Sequence, residues 1–105
     1  MQVINIPAHE AAAKMQAEQG ELLDVRTPAE YEAGHLQGAQ NIDFLAGDFL
    51  AAVPTLSPDK TYYLYCRSGA RSGKAAEILL ANGFTKVYNI GGFESLALAG
   101  LPVEY

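Results

Sequence analysis

Short β-prone runs alternate with helix-patterned segments along this sequence, and that alternation restricts the fold more than any other feature. Val3 to Ile6 is a short β-branched run closed by Pro7. Ala8 to Gln19 is alanine-rich, spaces Glu10 and Lys14 at i,i+4 and is followed by Gly20, which predicts a helix. Glu21 to Val25 carries Leu-Leu-Asp-Val, a buried-strand pattern. Thr27-Pro28-Ala29-Glu30 puts Thr at N-cap, Pro at N1 and Glu at N3, a capping box for a short helix to Ala33, stopped by Gly34. Ala39 to Ile42 reads as a strand, Asp43 as the cap of a helix reaching about Val53, and Pro54 and Pro58 as loop markers. Thr61-Tyr62-Tyr63-Leu64-Tyr65-Cys66 is strongly β-prone. From Arg71 a helix runs to about Asn82, with Ala75, Ala76, Leu79 and Leu80 on one face and Gly83 behind it. Lys86 to Asn89 is another strand, and Gly91-Gly92 turns into a last helix near Phe93 to Ala99. Such an order implies βαβ units, a mainly parallel sheet with helices on both faces, and right-handed crossovers.

Composition narrows the function. With 105 residues, half of them hydrophobic, one compact domain with its own core is expected. A single cysteine excludes an internal disulfide, and a Cys-based zinc site would need other ligand types. A net charge of −5 argues against nucleic acid as a partner. The apolar runs fall short of the ~20 residues a bilayer crossing needs, so no membrane partner is expected. The first residues show neither a basic n-region nor an apolar h-region. A lone thiol suits a reducing cytoplasm. A chain whose leader had been removed would read the same way, which leaves the periplasm open.

The chemistry concentrates after Cys66. This residue ends a predicted strand, and a helix starts five residues later, at the carboxyl edge where open parallel sheets place their sites. Arg67-Ser68-Gly69-Ala70-Arg71 has no proline, so each residue offers an N–H, and its small residues let the backbone curl into an anion nest. Arg67, Arg71 and Lys74 are three of the seven basic residues, and no acidic residue lies between Asp59 and Glu77. Such surroundings lower a thiol pKa from about 8.5 to roughly 3.5–7.5, and the thiolate is the nucleophile. A free cysteine is more often a small buried hydrophobe. Two arginines in the next five residues weigh against that reading here.

At this point the chain resembles, over nearly its whole length, the rhodanese family in its single-domain form, which implies one such domain over residues 1–105. The matching pieces are Leu22-Leu23-Asp24-Val25-Arg26, Glu30-Tyr31, Gly34-His35-Leu36, Gly38-Ala39, Asn41-Ile42, Tyr65-Cys66-Arg67-Ser68-Gly69-Ala70-Arg71-Ser72, Gly83-Phe84, Val87-Tyr88, Gly91-Gly92 and Gly100-Leu101-Pro102-Val103. The resemblance implies a three-layer α/β fold and thiosulfate sulfurtransferase activity. Cys66 would carry a persulfide, the amides of Arg67 to Arg71 would stabilise it, and Arg67 and Arg71 would hold the anionic donor, without cofactor or metal. With no second cysteine, the acceptor must be external: cyanide, glutathione or a thioredoxin-like protein. Phosphatases on related scaffolds have a Cys-x5-Arg loop, whereas Cys66 to Arg71 is Cys-x4-Arg, a ring that crowds phosphate. A persulfide relay fed by a partner protein is the other reading.

The remaining polar residues divide between roles. Asp24 and Arg26 end the second predicted strand, where they either shape the site rim or form an ion pair, with Arg26 held by Asp24 or Glu30. Glu30 reads as the capping-box acid. Ser68 and Ser72 are candidate hydroxyl donors to sulfur or sulfonate oxygens, and Ser72 is equally a plain first-turn residue. His35 reads as a residue that bounds the Arg26 loop. The tryptophan that often follows the family's Gly-Gly is absent, Leu96 lying near its place, so the packing of the last helix is expected to differ.

Overall fold

The structure, a computed structural model, describes residues 3–105. Five parallel strands form the sheet: β1 (Ile4–Asn5), β2 (Glu21–Asp24), β4 (Gln40–Asn41), β5 (Thr61–Cys66) and β6 (Lys86–Gly92), in the order β1-β6-β5-β2-β4. A separate antiparallel ribbon pairs β3 (His35–Leu36) with β7 (Val103–Glu104). The helices are α1 (Ala8–Ala17), α2 (Pro28–Glu32), α3 (Asp48–Ala52), α4 (Ala70–Ala81) and α5 (Phe93–Leu98).

β5 is central because all six of its residues can be buried. The period of two along a strand splits them between two layers. Tyr62, Leu64 and Cys66 join Leu23, Val25 and Val87 beneath α4, where Ala75, Ala76, Leu79 and Leu80 supply the helix face. Tyr63 and Tyr65 point the other way, into a core with Leu22, Ile90, Ala11 of α1 and Leu96 of α5. Leu96 is fully buried there, filling the layer without a tryptophan.

Buried tyrosines are tolerated because their hydroxyls are paired. Tyr62 accepts from the Ser57 amide at 3.0 Å, Tyr63 donates to the Glu18 carbonyl, and Tyr65 donates to Asp24 Oδ2 at 2.8 Å while accepting from the Leu36 amide. Among the described residues no buried side-chain nitrogen or oxygen lacks a partner.

Two expectations need correction, and one element was not foreseen. Asp43 caps a turn rather than a helix: its Oδ1 accepts from the amides of Leu45 and Ala46, Gly47 then takes a φ of +85°, and α3 starts only at Asp48. The last sheet strand runs on to Gly92 instead of stopping at Asn89, through a bulge in which Leu64 pairs with Asn89, Tyr65 pairs with Gly91, and Ile90 is the extra residue. The β3–β7 ribbon was not expected, because two-residue strands carry no periodicity to read.

Candidate active site

Cys66 is the last residue of β5 and lies opposite Gly92 of β6. The chain then turns through Arg67 and Ser68 to Gly69, whose φ of +96° belongs to the left-handed region, and α4 begins at Ala70. That turn brings the Gly69 amide back over the sulfur, where it donates to Sγ at 3.0 Å. The turn fits only because the facing strand is Gly91-Gly92. A Cβ on Gly92 would stand 2.5 Å from the Arg67 carbonyl oxygen, and one on Gly69 would stand 3.3 Å from Gly91 Cα.

Cys66 has no exposed surface. Burial pushes its pKa up, but the Ser72 hydroxyl and the amides of Ser72, Ser68 and Gly69 outweigh that, leaving the thiol below its ordinary value. Hydrogen-bond donors thus bias the sulfur toward the thiolate, where the sequence pointed to neighbouring charge. Ser72 is fully buried with its Oγ 3.4 Å from Sγ, while Arg67, Ser68 and Ala70 are exposed. A cleft of about 430 Å³ opens beside them, lined by Arg26, Glu30, Ala33, Arg67, Ser68, Phe93 and Glu94. Arg67 and Ser68 bring the residues that follow Cys66 to its lining.

Arg71 is engaged. Its guanidinium grips Glu30 with two bonds of 2.9 and 3.1 Å, tying α4 to α2. Glu30 is therefore more than the capping-box acid, although it is that too, accepting from the Thr27 amide at 3.0 Å. The Arg71 hydrogen bonds, against a smaller opposing effect of burial, hold its carboxyl down at about 2.

Asp24 and Arg26 form a buried ion pair, with Nη2 to Oδ2 at 2.7 Å and Nε to Oδ1 at 2.9 Å. Arg26 also donates to the Gly34 carbonyl at 2.7 Å and lies 4.5 Å from the centre of the Phe93 ring. The pair fixes the loop between β2 and α2, and one edge of Arg26 reaches the cleft. His35 stacks on Tyr31 with ring centroids 3.7 Å apart and places Nδ1 2.9 Å from the Tyr31 carbonyl oxygen, so it braces the segment that follows α2.

Asn89 is the residue that sequence reasoning missed. Its buried carboxamide donates to the Gly69 carbonyl at 3.1 Å and to Asn5 Oδ1 at 3.0 Å, and accepts from the Gly91 amide at 3.1 Å and from Ser72 Oγ at 2.7 Å. The available signal was a carboxamide at the end of the strand expected over Lys86 to Asn89, two residues before the glycine pair. Among the described residues no group of three or more His, Cys, Asp or Glu side chains is placed to hold a metal ion. No helix of the described residues is long and apolar enough to cross a membrane.

The family model for the rhodanese-like domain matches residues 7–99. The chain belongs to the rhodanese-like family. The thiosulfate sulfurtransferase PspE of Escherichia coli (strain K12) is 41 % identical to it over 78 residues, covering 72 % of this chain and 73 % of that protein. The uncharacterized protein YqhL of Bacillus subtilis (strain 168) is 44 % identical over 75 residues, covering 70 % of this chain and 58 % of that protein. Among solved structures, a rhodanese-related protein from Thermoplasma volcanium superposes with a TM-score of 0.80 at 31 % identity, over 96 % of this chain and 97 % of that one. The rhodanese-like assignment thus rests on sequence and on fold alike, and it places the chain among thiosulfate sulfurtransferase homologues.

Proposed function

We propose that residues 1–105 act as one rhodanese unit, a thiosulfate sulfurtransferase that carries sulfane sulfur on Cys66. The Cys66 thiolate attacks the outer sulfur of thiosulfate. A new S–S bond forms, the S–S bond of the donor breaks, and sulfite leaves with the electron pair. An external nucleophile then attacks the outer sulfur of the persulfide and regenerates the thiolate, a ping-pong scheme with a covalent intermediate. Cyanide would leave as thiocyanate, and a thiol such as glutathione or a thioredoxin-like protein would leave as its own persulfide.

The observation that carries this reading is the Gly69 amide 3.0 Å from Sγ in a Cys-x4-Arg loop. Aligned main-chain donors stabilise the negative charge of a thiolate or persulfide at little cost in reorganisation. Arg67 and Ser68, the two residues after Cys66, line the cleft, and the exposed Arg67 is the cation positioned to meet the anion there. A lone thiol of this kind fits a reducing compartment such as the cytoplasm.

Intact mass after exposure to thiosulfate tests the proposal. A gain of one sulfur atom, reversed by cyanide, is expected. An unchanged mass together with hydrolysis of an aryl phosphate would make the protein a phosphatase. An unchanged mass with thiosulfate but a gain from a protein persulfide would make it a relay.

A further inference from the structure

We infer that Asn89 controls the ionisation of Cys66 through the single hydroxyl proton of Ser72. The inference rests on the proposed role of Cys66 as nucleophile and concerns what sets the charge on that sulfur.

The orientation of the Asn89 carboxamide is fixed by its neighbours. The Gly69 carbonyl can only accept, so the group facing it at 3.1 Å is Nδ2. The Gly91 amide can only donate, so the group facing it at 3.1 Å is Oδ1. Ser72 Oγ stands 2.7 Å from that same Oδ1, and the proton between two oxygens so close belongs to Ser72. A hydroxyl has one proton. Ser72 Oγ also lies 3.4 Å from Cys66 Sγ, close enough to donate to it, so the one proton serves either Asn89 or the sulfur, and while it is on Asn89 Oδ1 a lone pair faces the sulfur.

A neutral thiol suits that lone pair, because S–H can donate to it. A thiolate does not. To serve the thiolate, the Ser72 hydroxyl must rotate away from Asn89 Oδ1, which keeps only the Gly91 amide. The hydroxyl therefore has two positions, and Asn89 competes with the ionised sulfur for its proton. The Gly69 amide serves the sulfur in both. Ser72 is fully buried and Asn89 is 7 % exposed, so the competition is shielded from bulk water.

The charged side chains nearest in the chain are Arg67, Arg71 and Lys74 of the loop and α4, and Arg26, Glu30 and Glu94 line the cleft beside the loop. None of them hydrogen-bonds to Ser72 or Asn89 among the described residues. The chemical use of such a brake is that intrinsic nucleophilicity falls with thiol pKa, and the best attacking thiol has a pKa near the ambient pH.

Titration of the thiolate ultraviolet absorbance, with no sulfur donor present, tests this in the wild type, Asn89→Ala, Ser72→Ala and the double variant. The expected result is that Asn89→Ala lowers the midpoint by about one pH unit, the scale of one hydrogen bond to a charged group. In the Ser72→Ala background the same substitution should change nothing. A raised midpoint, or an equal shift in both backgrounds, would make Asn89 a loop scaffold and overturn the inference. If Asn89→Ala does not fold, the S–H stretching band of the wild type decides: a lone cysteine gives one band. It should lie below the frequency of a free thiol and rise in Ser72→Ala, and a free-thiol frequency in the wild type refutes the inference. Failure of the wild type to take sulfur from thiosulfate would instead fault the proposed function and leave the titration result standing.

Discussion

Glu30→Gln isolates one interaction at the candidate site. Glutamine serves at N3 of a capping box as glutamate does, so the cap at Thr27 survives and only the charge opposite Arg71 is lost. Glu30 titrates at about 2 in the folded protein against 4.5 for an ordinary glutamate. Fully realised, that difference would be worth about 3 kcal/mol. Both partners keep a fifth to a quarter of their side-chain surface in water, and screening reduces the expectation to about 1–2 kcal/mol. The sign follows from linkage. A depressed carboxyl pKa contributes stability that is complete above the unfolded value, near 4.5, and is lost as pH falls through the folded value of about 2. Urea unfolding of the wild type and Glu30→Gln should therefore differ by about 1–2 kcal/mol at neutral pH and converge over that acidic window. Equal stability at neutral pH, or a gap that persists unchanged to the lowest pH at which both proteins fold, would refute the reasoning.

Other expectations concern the sulfur and its frame. Cys66→Ser should abolish sulfite release from thiosulfate while leaving the circular dichroism spectrum unchanged; activity near wild type would remove Cys66 from the mechanism. Gly92→Ala pushes a methyl to within 2.5 Å of the Arg67 carbonyl oxygen, so it should cost about 1–3 kcal/mol of stability and lower sulfite release at least tenfold, and a fully active, equally stable variant would show that the loop has room to move. Asp24→Asn leaves Arg26 buried without its counter-ion, and thermal unfolding should register a loss of about 3–5 kcal/mol. Arg71→Ala should raise the Michaelis constant for thiosulfate and shift the thiol alkylation profile to higher pH, and an unchanged profile would contradict any influence of Arg71 on the sulfur.

The sequence was most legible where local chemistry and tertiary packing agree. Thr61 to Cys66 is β-prone at every position and proved buried at every position, and the helix expected from Arg71 to Asn82 starts and ends within one residue of α4. The loop after Cys66 could be placed because it joins those two elements. Legibility failed where a partner comes from far along the chain. The Glu30–Arg71 grip spans 41 residues and the Ser72–Asn89 bond spans 17, and neither has a local signature. At Asp43 the error was local: the same side chain that caps helices also caps turns, and only Gly47 tells the two apart.

The donor closest to the sulfur is a main-chain amide, a group that every residue type except proline supplies. The outward-facing side chains of Arg67, Ser68 and Ala70 are consequently free to diverge without dismantling the anion cradle. A scaffold arranged this way can exchange one sulfur donor for another through changes on its rim, while the geometry that charges the nucleophile stays anchored in the backbone.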